Sequence, residues 1–107
     1  MNKMRRKEIR QVISRLSKLL EEFDLEDICD IITDIIEDVE LILSDEECYK
    51  DNIPENLQNG YRYNDSEYAC DCLQDAISEL EYIDGDEDVK SIAGYISSAI
   101  NYLNEAI

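Results

Sequence analysis

The chain has 107 residues, enough for a single domain spanning 1–107 or for one half of an oligomer. Hydrophobic residues make up 44% of it, which excludes a disordered chain despite the net charge of −17. Residues 1–20 hold seven Lys or Arg against one Glu, so the rest of the chain carries −23, a charge that repels nucleic acid and anionic membranes. No segment approaches the roughly 18 apolar residues of a membrane span, and no apolar signal-peptide stretch follows the start, so we expect a cytoplasmic protein.

The first predicted element is an amphipathic helix. With only three Gly and one Pro, the composition favours helices over a sheet. Apolar residues spaced by three and four form one stripe: Ile9, Val12, Ile13, Leu16, Leu19, Leu20 and Phe23. We expect the basic side chains of this segment to pair with acidic residues of an antiparallel neighbouring helix, in preference to binding an anion.

A second apolar stripe follows an irregular step after Phe23. Its members are Ile28, Ile31, Ile32, Ile35, Ile36, Val39 and Ile42. One interpretation is that Asp24, followed by Asp27, caps a new helix. The other is that an eleven-residue recurrence keeps one long helix in phase through Ile9, Leu20, Ile31 and Ile42. The sequence leaves open whether residues 1–50 form one helix or two; we favour one long helix, straight or kinked near Asp24.

The main reversal of the chain is predicted over residues 44–63. Pro54 disfavours the helical conformation at Ile53, and the Asn59-Gly60 pair turns readily. A return helix is predicted over 65–83. The acidic run 84–88 interrupts the apolar pattern, and a last helix is predicted to begin within this run, from about 86. The predicted fold is therefore all-α, an antiparallel hairpin or bundle of one long N-terminal helix and two shorter return helices. Its apolar stripes are wider than one hairpin buries, so we expect a homodimer or a higher oligomer.

Residue types exclude most catalytic chemistry. The chain has no His, which removes the usual general base and the commonest transition-metal ligand, so we expect no enzyme. No cofactor or metal site is predicted either. Cys70 and Cys72 point about 200 degrees apart on a helix, and no second Cys pair exists to complete a zinc site. We interpret Cys70 and Cys72 as ordinary packing residues, and all four cysteines as small core or surface residues of a reducing compartment that form no disulfides.

Two features predict protein binding. Rows of carboxylates along a rigid helix imitate a phosphate backbone, and we select Asp34, Glu37 and Asp38 as candidates for contacting a basic partner. Tyrosine is concentrated around the reversal, and this residue suits interfaces. The candidate residues there are Ile53, Pro54, Glu55, Asn56, Leu57, Tyr61 and Tyr63. The alternatives are that the acidic rows only solvate the helices and that the tyrosines only cover the open end of the bundle.

The motif Asp-Asn-Ile-Pro-Glu-Asn-Leu-Gln at 51–58, followed by Arg62-Tyr63 and the acidic, Ala-containing segment 67–81, resembles small uncharacterised acidic helical proteins encoded by phages and prophages of Gram-positive bacteria. The similarity covers most of the chain. It implies a helical hairpin and a phage accessory protein, and it brings no established activity.

By analogy, our leading hypothesis is a non-catalytic inhibitor of a host defence or nucleic-acid-processing protein, of the anti-CRISPR or another anti-defence type, that docks on a basic surface of that host protein. One alternative is a self-associating structural or assembly module. Another is a sponge for a signalling nucleotide, which requires Arg5, Arg6, Arg10 and Arg15 to converge on a small anion.

Overall fold

The computed structural model describes residues 2–58, 60–84 and 86–107, and these residues form four α-helices and one short 3-10 helix. The elements are α1 (Lys3–Glu21), α2 (Ile28–Asp51), the 3-10 helix (Glu55–Leu57), α3 (Tyr61–Glu81) and α4 (Val89–Ala106). α2 packs on α1 and α3, and α4 packs on α3 and α1, so the helices close into a bundle. The predicted all-α class is confirmed. None of these helices is long and apolar enough to cross a membrane.

Side-chain contacts show that neighbouring helices run antiparallel. Arg5 near the start of α1 contacts Glu46 near the end of α2. The hydroxyl of Tyr68 near the start of α3 donates to a carboxylate oxygen of Glu105 near the end of α4. The bundle measures 50 × 21 × 18 Å. Consequently the links 22–27 and 82–88 lie at one end, and the reversal between α2 and α3 lies at the other.

The favoured single long N-terminal helix is wrong, because the chain turns back at residues 22–27. The amide of Glu22 still donates to the Lys18 carbonyl, but Glu22 itself is extended. The amide of Ile28 donates to the Asp24 carbonyl 2.9 Å away, so a new helix begins there. The eleven-residue recurrence requires Leu20 to lie in the core, but Leu20 is exposed and the neighbouring Leu19 is buried instead. The irregular step after Phe23 was the correct signal, because it reflects a change of direction.

The core is formed by the apolar stripes of all four helices. Its fully buried members include Ile9, Leu16, Ile28, Ile35, Leu73, Leu80, Ile92, Ile96 and Leu103. A single chain therefore provides four helices that bury one another's stripes. These residues are covered within one chain, and the predicted homodimer or higher oligomer stays a prediction.

The ends of the helices differ modestly from the predicted boundaries. The Asn2 side chain caps α1 by accepting from the Arg5 amide at 2.8 Å. The Asp88 side chain caps α4 by accepting from the Ser91 amide at 2.7 Å. Hydrogen bonding by the backbone and the side chain of Ser91 lowers the pKa of Asp88. The last helix therefore begins just after Asp88 and not at 86. The Asn59 half of the predicted Asn-Gly turn, and Gly85 of the acidic run, lie outside the described residues.

The two cysteines of α3 are both buried because this helix lies between α2 and α4. Burial raises the pKa of the Cys70 thiol from 9.0 to about 11, and burial also raises that of Cys72. Cys48 on α2 is exposed. All four cysteines are free thiols, and Cys70 and Cys72 are packing residues of the core.

We therefore expect iodoacetamide at pH 8 to label Cys48 first and to spare Cys70. Only the thiolate reacts, and the rise of the Cys70 pKa from 9.0 to about 11 lowers the thiolate fraction of Cys70 about a hundredfold, whereas Cys48 is exposed to the reagent. Labelling kinetics followed by peptide mass spectrometry would measure both rates, and the same reaction in urea serves as the control. Equal rates in the native protein would contradict the packing of α3 between its neighbours.

Candidate binding surfaces

An open apolar groove lies at the reversal of the chain. The last turn of α2, the 3-10 helix and the first turn of α3 enclose a volume of about 550 Å³. Its lining residues are Tyr49, Asn52, Ile53, Pro54, Leu57, Gly60, Tyr61 and Arg62. Tyr61 is 81% exposed and Leu57 is 55% exposed, so large apolar side chains face the solvent here. Such a surface is typical of a ligand or partner site.

The reversal is compact because backbone hydrogen bonds close it locally. The Leu57 amide donates to the Pro54 carbonyl at 2.8 Å, which begins the 3-10 turn. The Gly60 amide then donates to the Leu57 carbonyl at 3.0 Å. A Cβ at position 60 would lie 3.0 Å from that same oxygen, so only glycine fits without a shift of the backbone. Gly60 thereby allows α3 to start immediately after the groove.

A buried polar cluster adjoins one wall of the groove through Tyr49. The side chain of Glu46 is fully buried, and one of its oxygens accepts a hydrogen bond from the Arg5 guanidinium at 2.6 Å. The Ser66 hydroxyl donates to the other oxygen at 2.8 Å. Arg5 also stacks on the ring of Tyr49, its guanidinium carbon 5.4 Å from the ring centroid. The cluster therefore joins α1, α2 and α3 and holds one wall of the groove in place.

The predicted residues of the reversal separate into two groups. Ile53, Pro54, Leu57 and Tyr61 line the groove. Glu55 and Asn56 are exposed on the 3-10 helix but do not line it, and Tyr63 is half-buried beneath the ammonium group of Lys50, which lies 5.9 Å from its ring centroid.

Sequence reasoning counted Tyr49 among the tyrosines around the reversal without selecting it, and it missed Asn52 and Arg62 as members of this surface. The sequence could have indicated Arg62, because Lys50, Arg62 and Lys90 are the three basic residues that follow residue 20. Two of these three flank the reversal.

The predicted acidic residues lie elsewhere on the molecule. Asp34 and Glu37 are exposed on the outer side of α2. Asp38 instead forms an ion pair with Arg15 of α1, and both side chains are about half-exposed. Helical rise places Glu37 about 20 Å from the end of α2. The two parts of the predicted partner site are therefore separate surfaces.

Acidic residues are concentrated at the end of the bundle opposite the groove. The link 22–27 contains Glu22, Asp24, Glu26 and Asp27, and the link 82–88 contains Asp84, Asp86, Glu87 and Asp88. Neither link contains a Lys or Arg. The exposed carboxylates of the first half of α2 continue this surface. We call the two links together with Asp30, Asp34 and Glu37 the acidic end.

The basic side chains of α1 are partly used within the fold, as predicted. Arg5 and Arg15 pair with carboxylates of α2. No group of three or more Cys, Asp or Glu side chains able to hold a metal ion occurs within the described ranges. No protein-family model matches the chain, and comparison with curated proteins and with solved structures finds no similar protein.

Proposed function

We propose that this chain is a non-catalytic, phage-encoded binding protein that inhibits a host defence or nucleic-acid-processing protein, of the anti-CRISPR or another anti-defence type, by presenting its acidic end to a basic surface. The observation that carries the proposal is the segregation of charge. Arg5 and Arg15 of α1 pair with carboxylates of α2, while the two links at the far end contain eight carboxylates and no Lys or Arg. Lys18 and Lys90, in the adjoining turns of α1 and α4, are too few to neutralise them. The resemblance to small phage proteins supports the biological setting.

The geometry of the acidic end suits competition with nucleic acid. On α2, carboxylates at Asp30, Asp34 and Glu37 are spaced by four and three residues, which is about 6 and 4.5 Å of helical rise. The bundle holds them on a rigid rod, so binding orders few side chains and no backbone. A basic groove that binds a phosphate backbone would attract such a surface at long range, and salt would weaken this attraction.

The decisive experiment combines capture with competition. The tagged protein is used to capture partners from a nuclease-treated lysate of a Gram-positive host at low and high salt, and the captured protein is purified. We expect a basic nucleic-acid-binding protein whose complex dissociates at high salt and is displaced by a DNA or RNA duplex. Recovery of the bait alone would instead favour the structural or assembly module, and capture that a duplex does not affect would exclude nucleic-acid mimicry.

Charge reversal locates the surface. We expect the triple variant Asp30→Lys, Asp34→Lys and Glu37→Lys to weaken the purified complex about tenfold or more, because favourable pairs become repulsive. Asp38 is left unchanged because reversing it would break its pair with Arg15. The matched control reverses Asp45, Asp51 and Glu55, which are exposed in the second half of α2 and in the reversal, away from the acidic end, and give the same change in net charge. Equal loss in both triples would mean that only net charge matters.

The nucleotide-sponge alternative has less support. It needs Arg5, Arg6, Arg10 and Arg15 to converge on one anion, but Arg5 and Arg15 contact carboxylates of α2. These two arginines are about 15 Å apart along α1. Calorimetry with cyclic nucleotides tests this alternative, and measurable heat of binding would favour it over the inhibitor.

A further inference from the structure

The groove at the reversal has the dimensions and lining of a binding site, and the proposed function does not use it. Its volume of about 550 Å³ lies within the usual range of ligand pockets. Its walls are mainly aliphatic and aromatic, from Tyr49, Ile53, Pro54, Leu57 and Tyr61. A large apolar side chain is the natural occupant of such a space, because it would remove these exposed surfaces from water.

The charged group that lines the groove, the guanidinium of Arg62, indicates which ligand group should lie next to the apolar side chain. Arg62 lines the groove and is exposed, and it forms no ion pair with any described carboxylate. The Asn52 amide shares the same lining. A guanidinium is suited to a carboxylate, which it binds through two hydrogen bonds. Asp51 and Glu55 are sequence neighbours of lining residues but do not line the groove, so Arg62 is the charged group of its lining.

The wall of the groove is fixed in advance. Tyr49 is held by Arg5, which is itself anchored on the buried carboxylate of Glu46. Pro54 restricts the backbone opposite. A preformed wall lowers the entropic cost of binding a short segment.

A second copy of this chain fits the groove poorly. The bundle's cross-section of 21 × 18 Å limits an end-to-end contact to about 400 Å² per protomer, half of the roughly 800 Å² typical of stable interfaces. Two chains of net charge −17 would also repel each other. The occupant must therefore be smaller in footprint and carry its own carboxylate.

We propose that the groove binds a short segment of another protein that presents one large apolar side chain next to a carboxylate. The apolar side chain enters between Tyr49, Leu57 and Tyr61, and the carboxylate binds Arg62. This site is independent of the acidic end, because it lies at the opposite end of the bundle and selects the opposite charge.

Peptide titration tests the proposal. The probes are two acetylated, amidated octapeptide pools, one with a fixed Phe-Glu core and the other with a Phe-Gln core, all other positions being uncharged. Each pool is titrated into ¹⁵N-labelled protein. We expect the Phe-Glu pool to shift the amides of residues 53–58 and 60–62 and to bind about tenfold more tightly than the Phe-Gln pool, because hydrogen bonds between charged groups are the stronger ones.

Matched variants separate charge recognition from apolar contact. Arg62→Gln should remove the difference between the two pools, while Lys90→Gln, the same change of charge at the other end of the bundle, should retain it. Leu57→Asp should abolish binding of both pools, with thermal melting confirming that each variant folds. The proposal is overturned if the pools bind equally, if Arg62→Gln behaves like Lys90→Gln, or if the shifts map elsewhere. Tighter binding of 3-phenylpropionate than of the Phe-Glu pool would also overturn it, in favour of a small-molecule site.

Discussion

Substituting Arg5 with Met is expected to lower the free energy of unfolding by about 2–3 kcal/mol, because it removes a charged partner from a fully buried carboxylate. Glu46 has no exposed surface, and only 12% of the Arg5 side chain is accessible. Without the guanidinium, fewer favourable interactions offset the desolvation cost of the buried Glu46 carboxylate. Urea unfolding monitored by circular dichroism measures the change.

Two further variants make this prediction specific. Arg15→Met breaks the other ion pair between α1 and α2, but its partners are about half-exposed, so we expect a loss below about 1 kcal/mol. The double variant Arg5→Met and Glu46→Met should recover most of the stability, since an apolar pair of similar volume replaces a buried charged one. If Arg5→Met cost no more than Arg15→Met, the buried cluster would have no special role in joining the helices.

Replacing Leu73 with Ala is expected to cost about 2–5 kcal/mol, because the truncation leaves a cavity among helices that cannot fully collapse. Leu73 has no exposed surface and lies on α3, between α2 and α4. Small domains are stable by only about 5–15 kcal/mol, so this change is a large fraction of the total. Chemical denaturation measures it.

The matched control is Leu41→Ala on the outer side of α2. Leu41 is 66% exposed, so its truncation should change the unfolding free energy by no more than about 0.5 kcal/mol. Comparable losses at Leu73 and Leu41 would contradict the arrangement in which α3 lies between two neighbours.

The buried cluster also connects stability with the groove. Arg5 contacts Glu46 and stacks on Tyr49, which is a wall of the groove. A substitution of Arg5 should therefore weaken peptide binding at the groove even though Arg5 does not line it. Arg15→Met should leave that binding unchanged, because Arg15 pairs with Asp38 farther along α2.

Several features were predictable from local pattern. Spacings of three and four identified the stripes of the first two helices, and the fully buried apolar residues of those helices are members of these stripes. Pro54 and the residues around it correctly indicated the end of the second helix. Four of the residues selected there, Ile53, Pro54, Leu57 and Tyr61, share the groove.

Other features depend on contacts between residues that are distant in sequence. Glu46 is one of 27 acidic residues, and its position four residues after Ile42 extends the buried stripe of α2. The stripe does not show which groups compensate a carboxylate buried there. Glu46 is buried because Arg5, 41 positions away, and Ser66, 20 positions away, converge on it. Asp38 likewise looked equivalent to Asp34 and Glu37, yet the antiparallel packing of α1 pairs it with Arg15.

The sequence by itself determined that this protein is an acidic, all-helical chain with a turn around Pro54, because helical periodicity, composition and proline geometry act over a few residues. Only the tertiary structure decided that residues 1–50 form two antiparallel helices and that the two acidic links lie at the same end. It also decided that Arg62 faces an apolar groove without a carboxylate partner among the described residues. The physical reason is that burial and charge pairing are set by which helices pack together, and that choice minimises the exposed apolar surface of the whole chain.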